Sequence, residues 1–448
     1  MGFLERSVGA SAVDFHGYMR SGLNYGSQGG NAYCFGNGNQ GHLLGRLGDE
    51  CDTYAELSLS QEVYNKANNK FTVHTLVAYG TNESNYDEQG NSWQGVGKGG
   101  DGARAGNDGT AAWNGQRLSF REAYVDYEMP SGITLWAGKR FYQRKDIHIM
   151  DLYYLNNSGN GFGVENIGVG NLGSLSFALI KHQVDLLPGS GNNNDINSYK
   201  LDARWNGIPL WTDATLDVAL IYAWQNLSRT QKNAFDHNNG FLGFIEWTQG
   251  NFLGGFNKLS FTYGTDALDY VGALNGGNHA GDNVIPANED GSGFRFIDWG
   301  VIEQSKWNLG YAILFAHKHA NGRNYEGANW SHPTGNDWAF VLRPSFKWSD
   351  YTSTVLEFGL TSQRNTGWNG WAHGNWDDNG FHAKKDRVGA TKLTLAQQWS
   401  PATHFWARPS IRVFASWLSG SLMDNRYTGL SQDKNHEYIF GAQVEAWW

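Results

Sequence analysis

Five aromatic side chains lie on the polar face of segments in which apolar and polar residues alternate. Residues two apart in a strand point to the same face, so residues of the same parity share a face. A ring among charges exposes apolar surface to water unless something packs on it. Each ring shares its face with polar residues: Tyr18 with Asp14, His16 and Arg20; Tyr54 with Glu56; Phe256 with Lys258, Ser260 and Thr262; Trp406 with Arg408, Ser410 and Arg412; Trp447 with Gln443 and Glu445.

Rings beside charges suit a molecule with an apolar face and a rim of hydroxyls, as a sugar has. The ring takes the C–H face, in a contact worth roughly 0.5–1.5 kcal/mol by analogy with aromatic pairs. Charged neighbours bond the hydroxyls. Several weak sites in series favour passage over capture. For any single ring, packing at a membrane rim is the alternative, but five rings on the polar parity favour a sugar track.

Sugar chemistry also raises the alternative of a soluble glycan hydrolase. Glycosidases need two facing carboxylates, and Glu56 with Asp151 is one such pair in this sequence. We favour the interpretation that these carboxylates bond sugar hydroxyls or neighbouring Arg side chains, so we expect no catalytic residue. The histidines, His16 and His404 among them, show no metal-ligand spacing. We therefore expect no metal and no other cofactor.

The elements that must position these residues are strands. Segments of about ten residues with alternating side chains match the length of one barrel crossing. Two prolines, Pro344 and Pro409, fall inside proposed strands and predict bulges there. The segments begin near Val13, Thr53, Phe71, Leu118, Thr134, Phe162, Leu175, Tyr199, Ala214, Phe241, Phe256, Phe294, Trp307, Trp338, Thr352, Ala390, Trp406 and Glu437.

The connections between these strands alternate between short and long. Short ones lie at 66–69, 349–350 and 400–403, and long ones rich in Gly, Asn and Asp lie at 21–50, 81–116, 140–161, 266–291 and 361–386. A barrel with short turns on one rim and long loops on the other has this pattern. A propeller would show a repeat period. The sequence therefore predicts an all-β, 18-stranded antiparallel transmembrane β-barrel with short periplasmic turns and long extracellular loops.

Composition excludes several other classes. No run of 18 or more apolar residues exists, which excludes a transmembrane helix. A formal net charge of -9 without a basic stripe argues against nucleic acid. High aromatic content with a mean hydropathy of -0.52 fits strands with one apolar face. Length alone would allow two or three domains, but barrels can run long as one. We expect one barrel domain over residues 13–448 after an N-terminal extension, residues 1–12.

The N-terminus and the cysteines bear on the compartment. The first residues, MGFLER, do not form a secretory signal peptide, so we expect a mature chain. Cys34 and Cys51 would form a disulfide in an oxidising compartment, and the alternative is two unrelated buried thiols.

Many segments of the chain resemble the maltoporins, eighteen-stranded trimeric sugar porins of Gram-negative outer membranes. The matching segments run from the first strand to the last, and WAGKRFYQR at 136–144 is highly specific. The others are VDFHGY at 13–18, GRLG at 45–48, CDTYAEL at 51–57, FREA at 120–123, GFNK at 255–258, LAQQW at 395–399, RP at 408–409, IRVFA at 411–415 and WW at 447–448.

The resemblance implies facilitated diffusion along an aromatic slide flanked by a polar track. The slide positions match the five rings already singled out, Tyr18, Tyr54, Phe256, Trp406 and Trp447. The family adds a ring from a neighbouring subunit, matched by Trp113 with Trp93 as the rival. The polar track matches Arg20, Arg46, Glu56, Arg121, Arg144 and Asp151. Tyr153, on an inward-folded third loop, would narrow the channel, and the first-loop disulfide matches Cys34 with Cys51.

The leading hypothesis is a sugar porin for maltose and maltodextrins that also passes ions. Alternatives are a porin for another glycan, such as aryl-β-glucosides, sucrose or chito-oligosaccharides, and a general diffusion porin. The pattern departs from the family after Tyr153-Tyr154, where Leu155-Asn156 replaces Trp-Asp. The expected partners are the sugar, a homotrimer and outer-membrane lipids. Phage binding does not follow from the sequence.

Overall fold

The protein is described by a computed structural model, and its described part is made almost entirely of strands. Among these residues, no helix is long and apolar enough to cross a membrane. The structure describes residues 12–29, 32, 42–50, 52–82, 111–112, 116–185, 195–233, 238–274, 289–322, 334–364, 374–377, 380–383, 387–421 and 436–448.

Eighteen long strands, labelled β1–β18 in chain order, form the wall. With the two-residue strand Ala111–Ala112 they make up the 19-stranded sheet. Their bounds are Asp14–Gly26, Asp52–Lys66, Asn69–Asn82, Gln116–Glu128, Thr134–Arg140, Gly159–Gly168, Ser174–Asp185, Asp195–Pro209, Ala214–Asn226, Asn239–Phe252, Gly255–Thr265, Glu289–Glu303, Trp307–Gly322, Gly335–Lys347, Thr352–Arg364, Arg387–Trp399, Ser410–Gly420 and His436–Trp447.

The sheet is closed and antiparallel. Each strand pairs with its sequence neighbours, and β18 returns to β1 with Tyr18 opposite Trp447. Alternation within strands sorts the two faces: in β17, Ile411 and Val413 are 58% and 46% exposed on the outside, whereas Arg412 is buried on the inside at 4%. Because closure leaves no unpaired edge, the wall satisfies its own backbone hydrogen bonds. The predicted 18-stranded barrel is confirmed.

The connection between β16 and β17 corrects one predicted strand start. Trp406 lies in a turn before β17, which begins only at Ser410. Pro409 also precedes this strand, so no bulge is needed there. Pro344 does lie inside β14, where pairing with β15 is interrupted between Leu342 and Ser345 without a change of register. The proline lacks an N–H, and the gap in the ladder accommodates it.

Three connections fold into the barrel, where the sequence predicted one. The predicted third loop carries a hairpin of Lys145–Ile147 with Leu152–Leu155, joined by the 3-10 helix His148–Met150. Residues 42–50 of the first long connection also turn inward, and the buried Lys392 Nζ donates to the Leu47 carbonyl over 3.0 Å. The 3-10 helix Asp266–Gly272 follows β11 and packs on the inner wall. The lumen is therefore narrowed from several sides.

Candidate functional site

Two tyrosines begin a row of rings on the inner wall. Tyr18 and Tyr54 lie on the paired strands β1 and β2, and their ring centroids are 6.1 Å apart. The Arg20 guanidinium lies 5.1 Å from the Tyr54 ring centroid. The pairing register sets this arrangement, because it places Arg20 directly opposite Tyr54. The two rings therefore share the lumen face that their parity predicted.

Trp447 continues the row on β18. The register places it opposite Tyr18, across the seam that closes the barrel. The Arg408 guanidinium lies 4.3 Å from the Trp447 ring centroid, within the range of a cation–π contact. The ring is therefore fixed by the seam and by a charge.

Phe256 and Trp406 form a stacked pair. Their ring centroids are 6.4 Å apart and their planes differ by 18°. Phe256 comes from β11, and Trp406 comes from the turn before β17. Trp299 lies edge-on to Phe256 at 5.0 Å. Because Trp406 projects from this turn, it reaches a ring of β11 although the two residues lie far apart in the chain.

His148 joins the two groups of rings, and sequence reasoning missed it. Its imidazole lies edge-on to Trp406 at 5.4 Å and to Trp447 at 5.3 Å. It stands in the 3-10 helix of the inward hairpin, outside the strands, where burial lowers the pKa of His148 to about 4. Its neutral ring therefore fits between two aromatic groups. The only sequence signal was its place in the charged segment between Arg144 and Asp151.

A charged network runs beside the rings. Arg46 donates to the Tyr18 hydroxyl over 2.5 Å and pairs with Glu445 at 3.2 Å. Arg20 Nη1 lies 3.3 Å from both Glu50 and Asp151. The sequence analysis assigned Arg20, Arg46 and Asp151 to the polar track and named Glu445 only as a neighbour of Trp447, and it missed Glu50.

Asp151 keeps its charge in this network. Burial alone would raise its pKa, but the guanidinium groups of Arg46 and Arg20 outweigh burial and hold the pKa of Asp151 well below its usual value. The network therefore offers both charged acceptors and charged donors at neutral pH.

A second cluster surrounds Tyr54. Arg121 donates to the Tyr54 hydroxyl over 2.8 Å and lies 3.8 Å from the Glu56 carboxylate, and Tyr54 in turn donates to Glu56. These groups remain partly open to the lumen, because the side chains of Arg121 and Glu56 are 21% and 20% exposed. Both were predicted for the polar track.

Arg144 and Tyr153 meet on the inward hairpin. The Arg144 guanidinium is held between the Phe141 and Tyr153 rings, 4.1 Å and 4.0 Å from their centroids. Within the described part of the chain it forms no ion pair, so its N–H groups remain available. Burial raises the pKa of the Tyr153 hydroxyl to about 12, which keeps it protonated.

A cavity of about 520 Å³ opens beside Trp406 and Trp299, and polar groups also line it, among them Arg144, Asp146 and Lys258. Lys145, also on its wall, bridges Asp217 at 2.7 Å and Glu246 at 2.8 Å. Cavities that hold small molecules span about 300–1,000 Å³. A molecule here would meet a ring on one side and charges on the other.

Four predicted residues lie outside the described part of the chain. They are Trp113 and its rival Trp93 on the second long connection, and the two cysteines of the first, Cys34 and Cys51. The second-loop ring and the disulfide therefore stay predictions.

Known proteins are similar to this chain over nearly its whole length. The LamB porin family matches residues 13–448. The chain belongs to the LamB porin family. A maltoporin of Photobacterium profundum is 34% identical over 452 residues, covering 100% of this chain and 96% of the relative. A maltoporin of Hahella chejuensis is 34% identical over 447 residues, covering 99% of this chain and 94% of the relative.

Two solved barrels are also similar in structure. OccAB1 of Acinetobacter baumannii matches with a TM-score of 0.49 and 11% identity, covering 97% of this chain and 96% of that chain. OprD of Pseudomonas aeruginosa matches with a TM-score of 0.46 and 9% identity, covering 97% of this chain and 93% of that chain.

Family membership settles the class of protein. This chain is a sugar porin of the bacterial outer membrane, which it crosses many times. It is a channel and not an enzyme, so Glu56 and Asp151 are not a glycosidase pair. The geometry agrees, since each of these carboxylates lies against an arginine.

Proposed function

We propose that this porin passes maltose and maltodextrins by facilitated diffusion along the row of rings. The observation that carries the proposal is the near-continuous aromatic path, in which His148 bridges the stacked Phe256–Trp406 pair and Trp447. Trp447 is in turn paired with Tyr18 across the seam. A sugar leaving one ring finds the next within the length of one residue.

The charged network supplies the other half of the proposed track. Arg144, which has no ion pair in the described residues, donates to hydroxyls from the hairpin, while Asp151 accepts from them. Weak contacts in series exchange one sugar position for the next without a deep well, which conduction requires.

A porin for another oligosaccharide is the second candidate. It is favoured by the inward hairpin, where Leu155 is buried and Asn156 accepts a 2.5 Å hydrogen bond from the Ser158 hydroxyl. An acidic residue in place of Asn156 would present a charge to the sugar rim. The neutral amide here therefore favours a different pattern of hydroxyls. A general diffusion porin is the third candidate, and it would lack a saturable site.

Current recording in planar bilayers tests all three candidates. We expect maltodextrins to block the ion current saturably, with affinity rising from maltose to longer oligomers and then levelling, because each added sugar gains a ring. Block by sucrose, an aryl-β-glucoside or a chito-oligosaccharide alone would favour the second candidate. Current untouched by millimolar maltohexaose would refute the maltodextrin proposal. We further propose a homotrimer, with a second-loop ring, Trp113 or Trp93, reaching into the neighbouring lumen.

A further inference from the structure

An acidic side chain faces outward on the lipid side of β12. Its neighbours Ile297 and Trp299 point into the lumen and are only 1% and 7% exposed. Phe296, which shares the parity of Asp298, is 38% exposed on the outside. Asp298 therefore lies on the membrane face of the wall.

Two polar side chains from the adjacent strands join it there. Asn257 Nδ2 donates to Asp298 Oδ1 over 2.6 Å and to the Tyr311 hydroxyl over 2.7 Å. Asn257 and Tyr311 also face outward, since their chain neighbours Phe256 and Gly310 face the lumen. The result is an outer-wall triad, Asn257, Asp298 and Tyr311, built across β11, β12 and β13.

The triad leaves two groups available. Among the described residues, Asp298 Oδ2 accepts no hydrogen bond. The Tyr311 hydroxyl accepts from Asn257, so its own hydrogen is left to donate. Gly300 keeps the recess open, because a Cβ there would lie 2.8 Å from the Tyr311 oxygen. The triad thus presents one charged acceptor and one neutral donor side by side.

The apolar surroundings make the Asp298 carboxylate costly to bury unless a further partner binds it. Leu259 and Ile313 are the cross-strand neighbours of Asp298, and Ile313 is 43% exposed. An ionised carboxylate against acyl chains costs several kcal/mol unless it is paired. One hydrogen bond from Asn257 satisfies one of its two oxygens.

The triad lies within reach of lipid headgroups. Asn257 is three residues beyond Gly254 in the short turn, which is about 10 Å along a strand. Trp307 and Phe346, the first pair of β13 with β14, are 44% and 43% exposed and mark the aromatic belt at this rim. Along β13, Tyr311 lies four residues beyond Trp307, and Ile313, opposite Asp298, lies six residues beyond it, which is about 13 and 20 Å along the strand. The triad therefore lies on the acyl-chain side of the belt, and a headgroup must reach inward past the belt to bind it.

We propose that the outer-wall triad binds the headgroup of a phospholipid that carries a primary ammonium. The ammonium N–H groups donate to the Asp298 carboxylate, and the lipid phosphate accepts from the Tyr311 hydroxyl. A choline headgroup has no N–H to donate, and an anionic headgroup without an amine is repelled by the carboxylate. The occupant is a membrane lipid of the leaflet at the short-turn rim, and this site is separate from the sugar channel.

Native mass spectrometry of the intact oligomer, extracted from equimolar phosphatidylethanolamine and phosphatidylcholine, tests the proposal. We expect the wild type to retain the ethanolamine lipid preferentially. Asp298→Asn should lower that preference about tenfold, the scale of one charge-assisted hydrogen bond. Tyr311→Phe should weaken retention of the same lipid in a chain that keeps the carboxylate. Asp14→Asn makes the same change on an exposed lumen-face residue and should leave the preference intact.

The remaining outcomes separate this site from other interpretations. Equal retention of the two lipids by the wild type overturns the proposal, and so does an unchanged preference in both triad variants. If the triad variants fall apart into monomers while their lipid preference persists, the face is an interface between copies instead. Current block by maltohexaose, measured on the same variants, reports the channel, so a failed lipid result leaves the proposed sugar function untouched.

Discussion

Replacing Trp406 with alanine should remove one step of the proposed track. The ring is stacked on Phe256 at 6.4 Å and is met edge-on by His148 at 5.4 Å, so a sugar moving between them loses one platform. One aromatic contact is worth roughly 0.5–1.5 kcal/mol, which raises the half-blocking concentration of maltohexaose about 2- to 12-fold. Ion conductance should change little, because the charged network stays.

The matched control is Trp338→Ala, which deletes an indole that faces outward on β14 and should leave sugar block unchanged. Because Trp406 lies in a turn, outside the strand ladder, the Trp406→Ala variant should assemble as well as the wild type. Sugar titration of the ion current through single channels measures both quantities. If maltohexaose blocks the Trp406→Ala channel at the same concentration as the wild type, the ring only packs against the wall and the slide interpretation fails.

Three further predictions follow from the inward hairpin and the first long connection. Tyr153→Ala should raise single-channel conductance by removing bulk at the constriction, and unchanged conductance would place this ring outside the narrowest point. His148, with its pKa lowered to about 4 by burial, is neutral at pH 7 and gains its proton only as the pH falls through about 4. Maltohexaose block should therefore stay level from about pH 7 to 5.5 and change below about pH 4.5 in wild type but not in His148→Asn; a transition near pH 6.5 would contradict this. Cys34 and Cys51 should be joined, so free thiols titrating in the unreduced, denatured protein would show otherwise.

The strands of the wall were predictable because the alternation of each strand is visible within its own segment of the sequence. Alternation with period two needs no partner to be read, and the start of β5 at Thr134 and of β9 at Ala214 coincide with the sequence prediction. The lumen face followed from the same parity, since Tyr18 and Tyr54 do face inward. Trp406 was placed on a strand because its parity happens to continue that of β17 through the preceding turn.

The interior was predictable only in part because it depends on contacts between distant segments. The Leu47 carbonyl accepts a hydrogen bond from Lys392, 345 residues away, and no pattern in the Gly-rich first connection predicts that contact. His148 carries no periodic signal in a short hairpin. The inward turn of Asp266–Gly272 likewise rests on an ion pair of Asp269 with Lys318 at 2.9 Å.

Glu445 on β18 ties the interior of the channel to its wall. Its carboxylate lies 3.2 Å from Arg46, 2.7 Å from Arg408, 3.2 Å from Arg412 and 3.4 Å from His148. Arg408 and Arg412 lie beside Glu445 on the β17 side of the wall, whereas Arg46 and His148 belong to two inward-folded segments. One buried carboxylate is therefore the shared partner of the wall and of the interior. Removing it would leave buried guanidinium groups crowded together without this partner, so the wall and the inward segments would loosen together.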